Sequence, residues 1–148
     1  MYSLARFLAS APAGLYRWIG AAACAEITAL CRLKHIELFR VRGEHLRDKR
    51  RFLAALARAM HLPRWFGLNW DALADCLTDF DWQPGSVHVL FCSKLDAFAQ
   101  RSPVDFATAL EVLEDAASFW AERDVHFLVL VECDSLPQFA HLLAVRPA

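Results

Sequence analysis

Apolar and polar positions recur with two different periods along this chain, and each change of period marks an element. Residues 36–41 (IELFRV) read as a strand closed by Arg42-Gly43. Asp48 follows as a helix N-cap, and Phe52, Leu53, Leu56 and Met60 give the next helix an apolar face. A second helix is predicted from about Trp70 to Phe80. Asn69 starts it, because its side-chain oxygen can accept from first-turn amides. Leu73, Cys76, Leu77 and Phe80 form its buried side. Residues 83–86 (QPGS) are a turn. Val87 to Cys92 and Val125 to Val131 are nearly continuous apolar runs, the pattern of parallel strands covered on both faces.

Between those runs, Leu95 to Ala99 predict one helical turn. Ser102-Pro103-Val104-Asp105 then predict a helix start, with serine as cap, proline at the first position and aspartate in capping-box register. That helix is expected to reach about Arg123, with Val104, Ala107, Leu110, Leu113, Ala117 and Trp120 facing inward. Asp134 to Pro137 predict the start of a short helix with Phe139, Leu142 and Leu143 as its apolar side. At the other end, Gly14 to Ile19 suit a short strand or an extended arm, and Ala21 to Leu33 an alanine-rich helix. Strands separated by helices predict an α/β fold with a parallel sheet. The expected organisation is an N-terminal extension, residues 1–34, packed on a main domain of residues 35–148.

The first fourteen residues are apolar, but Arg6 interrupts the run that an export leader needs. No stretch approaches the roughly 20 apolar residues of a membrane span. Sixteen basic against 17 acidic residues leave a net charge of −1, which argues against a general nucleic-acid binder. The charge is unevenly placed: residues 40–51 are basic and residues 71–81 acidic. Lys49-Arg50-Arg51 opens a helix with the wrong sign for its dipole and reads as a solvated face, the alternative being an anion or RNA contact. Five cysteines, at 24, 31, 76, 92 and 133, form no CxxC or Cys/His ligand pattern and suit reduced thiols in a cytoplasm. No glycine-rich phosphate loop or nucleophile elbow is present. His88 and His126 fall within apolar strands and read as satisfied core histidines.

One polar constellation remains. Asp71, Asp75 and Asp79 are spaced four apart on the predicted Trp70–Phe80 helix, so they form a stripe opposite its apolar face. That helix carries no Lys or Arg, and like charges at i, i+4 cost about 0.2–0.5 kcal/mol per pair. Such a stripe is either a solvated acidic face or a surface that receives cations. Trp65, Phe66 and Trp70 crowd beside it, and large aromatics with charge are the composition of an interface hot spot.

The stretch LPRWFGLNWDALADCLTDF at 62–80 resembles the barstar family, the intracellular inhibitors of barnase-type ribonucleases. The likeness is dense over residues 62–78 and extends, more thinly, over residues 36–132. It implies a small layered α/β fold with a three-stranded parallel sheet packed by helices. It also implies no catalytic residue, no metal and no cofactor. It places the family's turn aromatic at Trp65, its close-packed glycine at Gly67 and its asparagine at Asn69. Its interface aspartates fall at Asp71 and Asp75, its threonine at Thr78, and the aromatic that closes the helix at Phe80. A further acidic contact falls near Asp115. The family's large aromatic just before the second aspartate is Ala74 here, and the net charge is near neutral.

The implied partner is a basic ribonuclease, or a related toxin, whose RNA site the acidic helix would fill. No direct nucleic-acid contact, no membrane and a monomeric free state are expected. Two other readings remain from the residues themselves: a Mg²⁺-dependent hydrolase using Asp71 and Asp75, or an acidic adaptor for some other basic protein.

Overall fold

A computed structural model describes residues 4–18, 23–63, 66–133 and 143–145. Among the described residues five parallel strands form one sheet in the order β2-β3-β4-β1-β5. They are β1 (Gly14–Trp18), β2 (Glu37–Arg42), β3 (Val87–Ser93), β4 (His126–Glu132) and β5 (Leu143–Val145). The expected three strands are therefore too few. β2, β3 and β4 are those three, and β1 and β5 extend the sheet beyond β4.

Among the described residues six helices cover this sheet: α1 (Leu4–Ser10), α2 (Ala23–Leu33), α3 (Lys49–Ala59), α4 (Trp70–Leu77), α5 (Asp96–Arg101) and α6 (Pro103–Ala121). Side chains alternate across each strand, so the two sheet faces feed two separate cores. Phe39, Val41, Leu90, Cys92, Phe127 and Val129 pack with α3 to α6. Tyr16, Trp18, Val89, Phe91, Leu128 and Leu130 pack with Phe7 and Leu8 of α1 and with Ile27 and Cys31 of α2. Both faces are thus dry, which is why β3 and β4 tolerate almost uninterrupted apolar sequence. Among the described residues, the N-terminal segment supplies both the inserted strand β1 and the helices of the second layer, α1 and α2.

Several local expectations give way to tertiary contacts. α4 stops at Leu77 rather than Phe80, so Asp79 and Phe80 lie beyond the helix. Val104 and Ala107 are exposed; Leu110, Leu113, Ala117 and Trp120 face inward as expected, joined by Phe106, Ala109 and Ala116. Ser102 makes no side-chain cap; its hydroxyl donates to the Arg47 carbonyl at 2.9 Å, tying α6 to the loop before α3. Leu143 begins β5 instead of lining a helix, and the rest of the helix expected from Asp134 lies outside the described residues. Asp48 caps α3 as expected, accepting from the Arg51 amide at 2.9 Å.

Candidate functional site

The segment before α4 is built from local hydrogen bonds. The Phe66 amide donates to the Pro63 carbonyl at 2.9 Å, and Leu68 takes a left-handed φ of 52°. Gly67 has no unusual φ; a Cβ there would lie 3.1 Å from the Asn69 side-chain nitrogen, close enough to press on it. That proximity matters because Asn69 holds the helix start. Its Oδ1 accepts from the Ala72 amide at 2.8 Å. Trp65 lies outside the described residues.

Three contacts fix α4 on the body of the protein. Leu73, Cys76 and Leu77 are buried. The Trp120 indole of α6 donates to the Leu77 carbonyl at 2.8 Å, satisfying an orphan acceptor at the helix end. At the start of α4, Trp70 packs against Phe52, and Lys49 Nζ sits 5.6 Å from its ring centroid. The helix end is closed by Thr78, whose hydroxyl reaches the Ala74 and Asp75 carbonyls at 3.0 and 3.2 Å.

Phe80 leaves the helix because it joins an aromatic column. Its ring stacks on Trp82 at 4.5 Å and lies 6.4 Å from Phe39. Trp82 in turn stacks on His88 at 4.0 Å and touches Trp120 and Phe127. Phe80 is half-buried, so one part of this column reaches the surface beside α4.

What α4 presents outward is Asp71, Ala74 and Asp75, with Asp79 one turn beyond. All four are exposed, and the three carboxylates have no ion-pair partner among the described residues. Ala74 keeps the surface between the first two carboxylates low. The field of the stripe is felt inside: the Cys76 thiol is pushed up chiefly by burial, with the Asp75 and Asp79 charges adding to it. Asp115 is exposed on α6, the helix against which α4 packs. Among the described residues no cluster of three His, Cys, Asp or Glu side chains is placed to hold a metal. Asp71 and Asp75 therefore gain no third acidic or imidazole ligand there.

A second polar line escapes sequence reasoning. His88 Nδ1 lies 2.8 Å from Glu37 Oε1, and its Nε2 lies 2.9 Å from Ser86 Oγ. The connectivity is that of an acid–base–nucleophile relay. The Ser86 proton, however, is committed to the Gln83 carbonyl at 2.5 Å, so the hydroxyl cannot also donate to His88. Burial lowers the His88 pKa, while the Glu37 hydrogen bond and charge oppose that shift. A neutral ring has one N–H for these two oxygens, so the group reads as a buried histidine held by its neighbours and not as a nucleophile relay. Its only advance signal was a histidine inside an apolar run.

Fold and site define a layered α/β protein that displays one uncompensated acidic helix face beside an aromatic surface. The profile of the family described as "Barstar (barnase inhibitor)" matches residues 36–132. The chain belongs to the barstar family. No curated protein matches it. Among solved structures, a chain from "Structure of Drosophila ORC bound to DNA" is 14% identical with a TM-score of 0.57. The alignment covers 95% of this chain and 38% of that one, and at that identity the likeness is one of fold alone. Among the described residues no helix is long and apolar enough to cross a membrane.

Proposed function

We propose that this protein binds a basic ribonuclease of the barnase type, or a related toxin, and blocks its RNA site with the outer face of α4. The observation that carries this reading is the row Asp71, Asp75 and Asp79, exposed and without counter-ions among the described residues. A nuclease must gather cations where it holds RNA phosphates. A helix carrying fixed carboxylates offers such a site the charge of its substrate without a cleavable bond. Complementary potentials speed encounter and make association salt-sensitive.

Asp75, near the middle of the stripe, would enter the nuclease site most deeply. Asp71 and Asp79 would flank it, Ala74 would allow close approach, and Phe80 would supply apolar contact at the edge. Gly67, Asn69 and Thr78 would act by holding the helix in place. Trp65 and Asp115 would extend the contact from the turn and from α6. The protein would work in the cytoplasm as an antitoxin or immunity factor, monomeric when free, with no catalysis, no cofactor and no direct contact with nucleic acid. Cys31, Cys76, Cys92 and Cys133 are buried and form no disulfide among the described residues, which supports a reducing compartment. Residues 1–34 would be an extension whose role is to complete the fold of the domain at 35–148.

The test is affinity capture with the wild type and with Asp75→Ala, followed by a nuclease assay on the eluates. The wild type should recover a basic protein with ribonuclease activity that reappears on dissociation. Asp75→Ala should bind it about a hundredfold or more weakly, because the partner's cations would stay buried without a counter-charge. The same variant should unfold at the same or a slightly higher temperature, since it relieves repulsion along α4. Recovery of the same partner by both proteins, or of no nuclease by either, would refute the proposal.

A further inference from the structure

Strand β2 lies at the edge of the sheet, with β3 as its one neighbour among the described residues. The Gly43 amide donates to the Ser93 carbonyl at 2.7 Å, which sets the phase of the ladder. Alternate residues of a strand address a given neighbour. Phe39, Val41 and Gly43 therefore turn their main-chain groups toward β3, and Arg40 and Arg42 turn theirs outward. Beyond that edge runs a cleft of about 490 Å³, lined by Arg40, Val41 and Arg42 and by Ala55, Arg58 and Ala59 of α3. Successive side chains of a strand point to opposite faces, so a cleft that touches all three of these β2 residues follows the edge of the strand. Ala55 and Ala59, one helical turn apart, flank it on the α3 side.

Outward main-chain groups are a template for another strand, and charge selects which strand can use it. Arg40 and Arg42 share the sheet face opposite Val41. Both are exposed, and neither has an ion pair among the described residues. A second copy of this chain set antiparallel along β2 would bring arginine opposite arginine, and like charges so placed destabilise a pair. The arginines thus reject the chain's own edge. A strand with carboxylates at every second position reverses the effect. Its acidic side chains would face Arg40 and Arg42, and the residues between them would face Val41 and the α3 wall. That wall is low at Ala55 and Ala59, and the exposed Arg58 adds to it a charge of the same sign.

We propose that the free edge of β2 takes up an extended acidic segment of a partner protein as an added strand, bonded by the main chain of Arg40 and Arg42 and selected by their guanidinium groups. This surface shares no residue with the acidic face of α4, and neither proposal depends on the other.

Amide hydrogen exchange by NMR on the full chain, with a synthetic end-capped peptide of alternating glutamate and valine, tests it. The peptide should bind saturably and slow exchange at the Arg40 and Arg42 amides, leaving those of Phe39 and Val41 little changed. N-methylation of every internal peptide amide keeps the charges and removes the donors, and should weaken binding about tenfold or more. A peptide of alternating lysine and valine should not bind the wild type, and R40E/R42E should reverse the preference. The N-methyl comparison uses the wild type and stands whether or not that variant folds. Asp75→Ala should bind the glutamate peptide like the wild type. Absence of saturable binding at millimolar concentration would overturn the proposal, as would unchanged exchange at Arg40 and Arg42 in the saturated complex. Equal affinity for the N-methylated peptide would overturn strand addition. A dimer in sedimentation, with both amides already protected in the peptide-free chain, would reassign the edge to a second copy.

Discussion

Replacing Trp120 with phenylalanine isolates the bond that anchors the end of α4. The indole is 4% exposed and donates to the Leu77 carbonyl at 2.8 Å. Phenylalanine keeps an aromatic ring beside Trp82 and Phe119, which lie 4.9 and 5.1 Å away in the wild type. It removes the donor and part of the ring. A buried carbonyl left without its partner costs about 1–3 kcal/mol, and the missing ring atoms add a cavity penalty. A total loss of about 2–3 kcal/mol follows, equivalent to a drop in Tm of about 5–10 °C for a chain of this size. Urea unfolding should give the same free-energy difference with an unchanged slope. Hydrogen exchange should show the amides of the last turn of α4 losing protection before those of β3 and β4. An unaltered Tm, or a uniform loss of protection across the sheet, would refute the claim that this bond holds the helix. Contrast with Asp75→Ala sharpens the test. One variant should lose stability through the inner face of α4, and the other should lose binding through the outer face.

His88 predicts a pH dependence. Its folded pKa lies below the ordinary 6.5 because of burial, so the unfolded chain takes up the proton first as pH falls. Its contribution to stability is full above 6.5 and declines as pH drops through the lower folded value; urea midpoints across that range should fall with pH, and Glu37→Gln should deepen the decline. Gly43→Ala should cost about 1–3 kcal/mol in thermal unfolding, because the added methyl would lie 2.3 Å from the Ser93 carbonyl oxygen and 2.7 Å from that of Lys94. Burial pushes the Cys92 thiol up to about 12 and that of Cys31 up to about 11. Since the thiolate is the nucleophile, iodoacetamide near pH 8 should leave both unmodified in the folded chain and alkylate them after denaturation, as read by mass spectrometry.

Elements with a strong period or a clear cap were legible in advance. Asp48 and Asn69 cap the helices they were expected to cap, and the runs at 87–92 and 125–131 lie in buried strands. What escaped depends on partners distant in the chain. Nothing local to Phe80 says that Trp82 and Phe39 will draw it out of helical register, or that Ser102 will prefer the Arg47 carbonyl to its own helix. The seven residues of α1 are too few for periodicity to speak, and their pattern overlaps that of an export leader. At the site, the aspartate spacing was visible, but Asp79 departs from the helix.

The place of β1 in the sheet sets a timetable for the molecule. Gly14 pairs with Leu128 and Trp18 with Glu132, so a strand made early by the ribosome finds its mate only when synthesis has passed residue 132. Until then Leu15, Tyr16 and Trp18 have no strand to join, and the second helical layer lacks the part of its floor that Leu128 and Leu130 supply. Closure over so long a stretch of chain is slow. A cell relying on this protein against a poison of its own making would need to begin translating it before the poison appears.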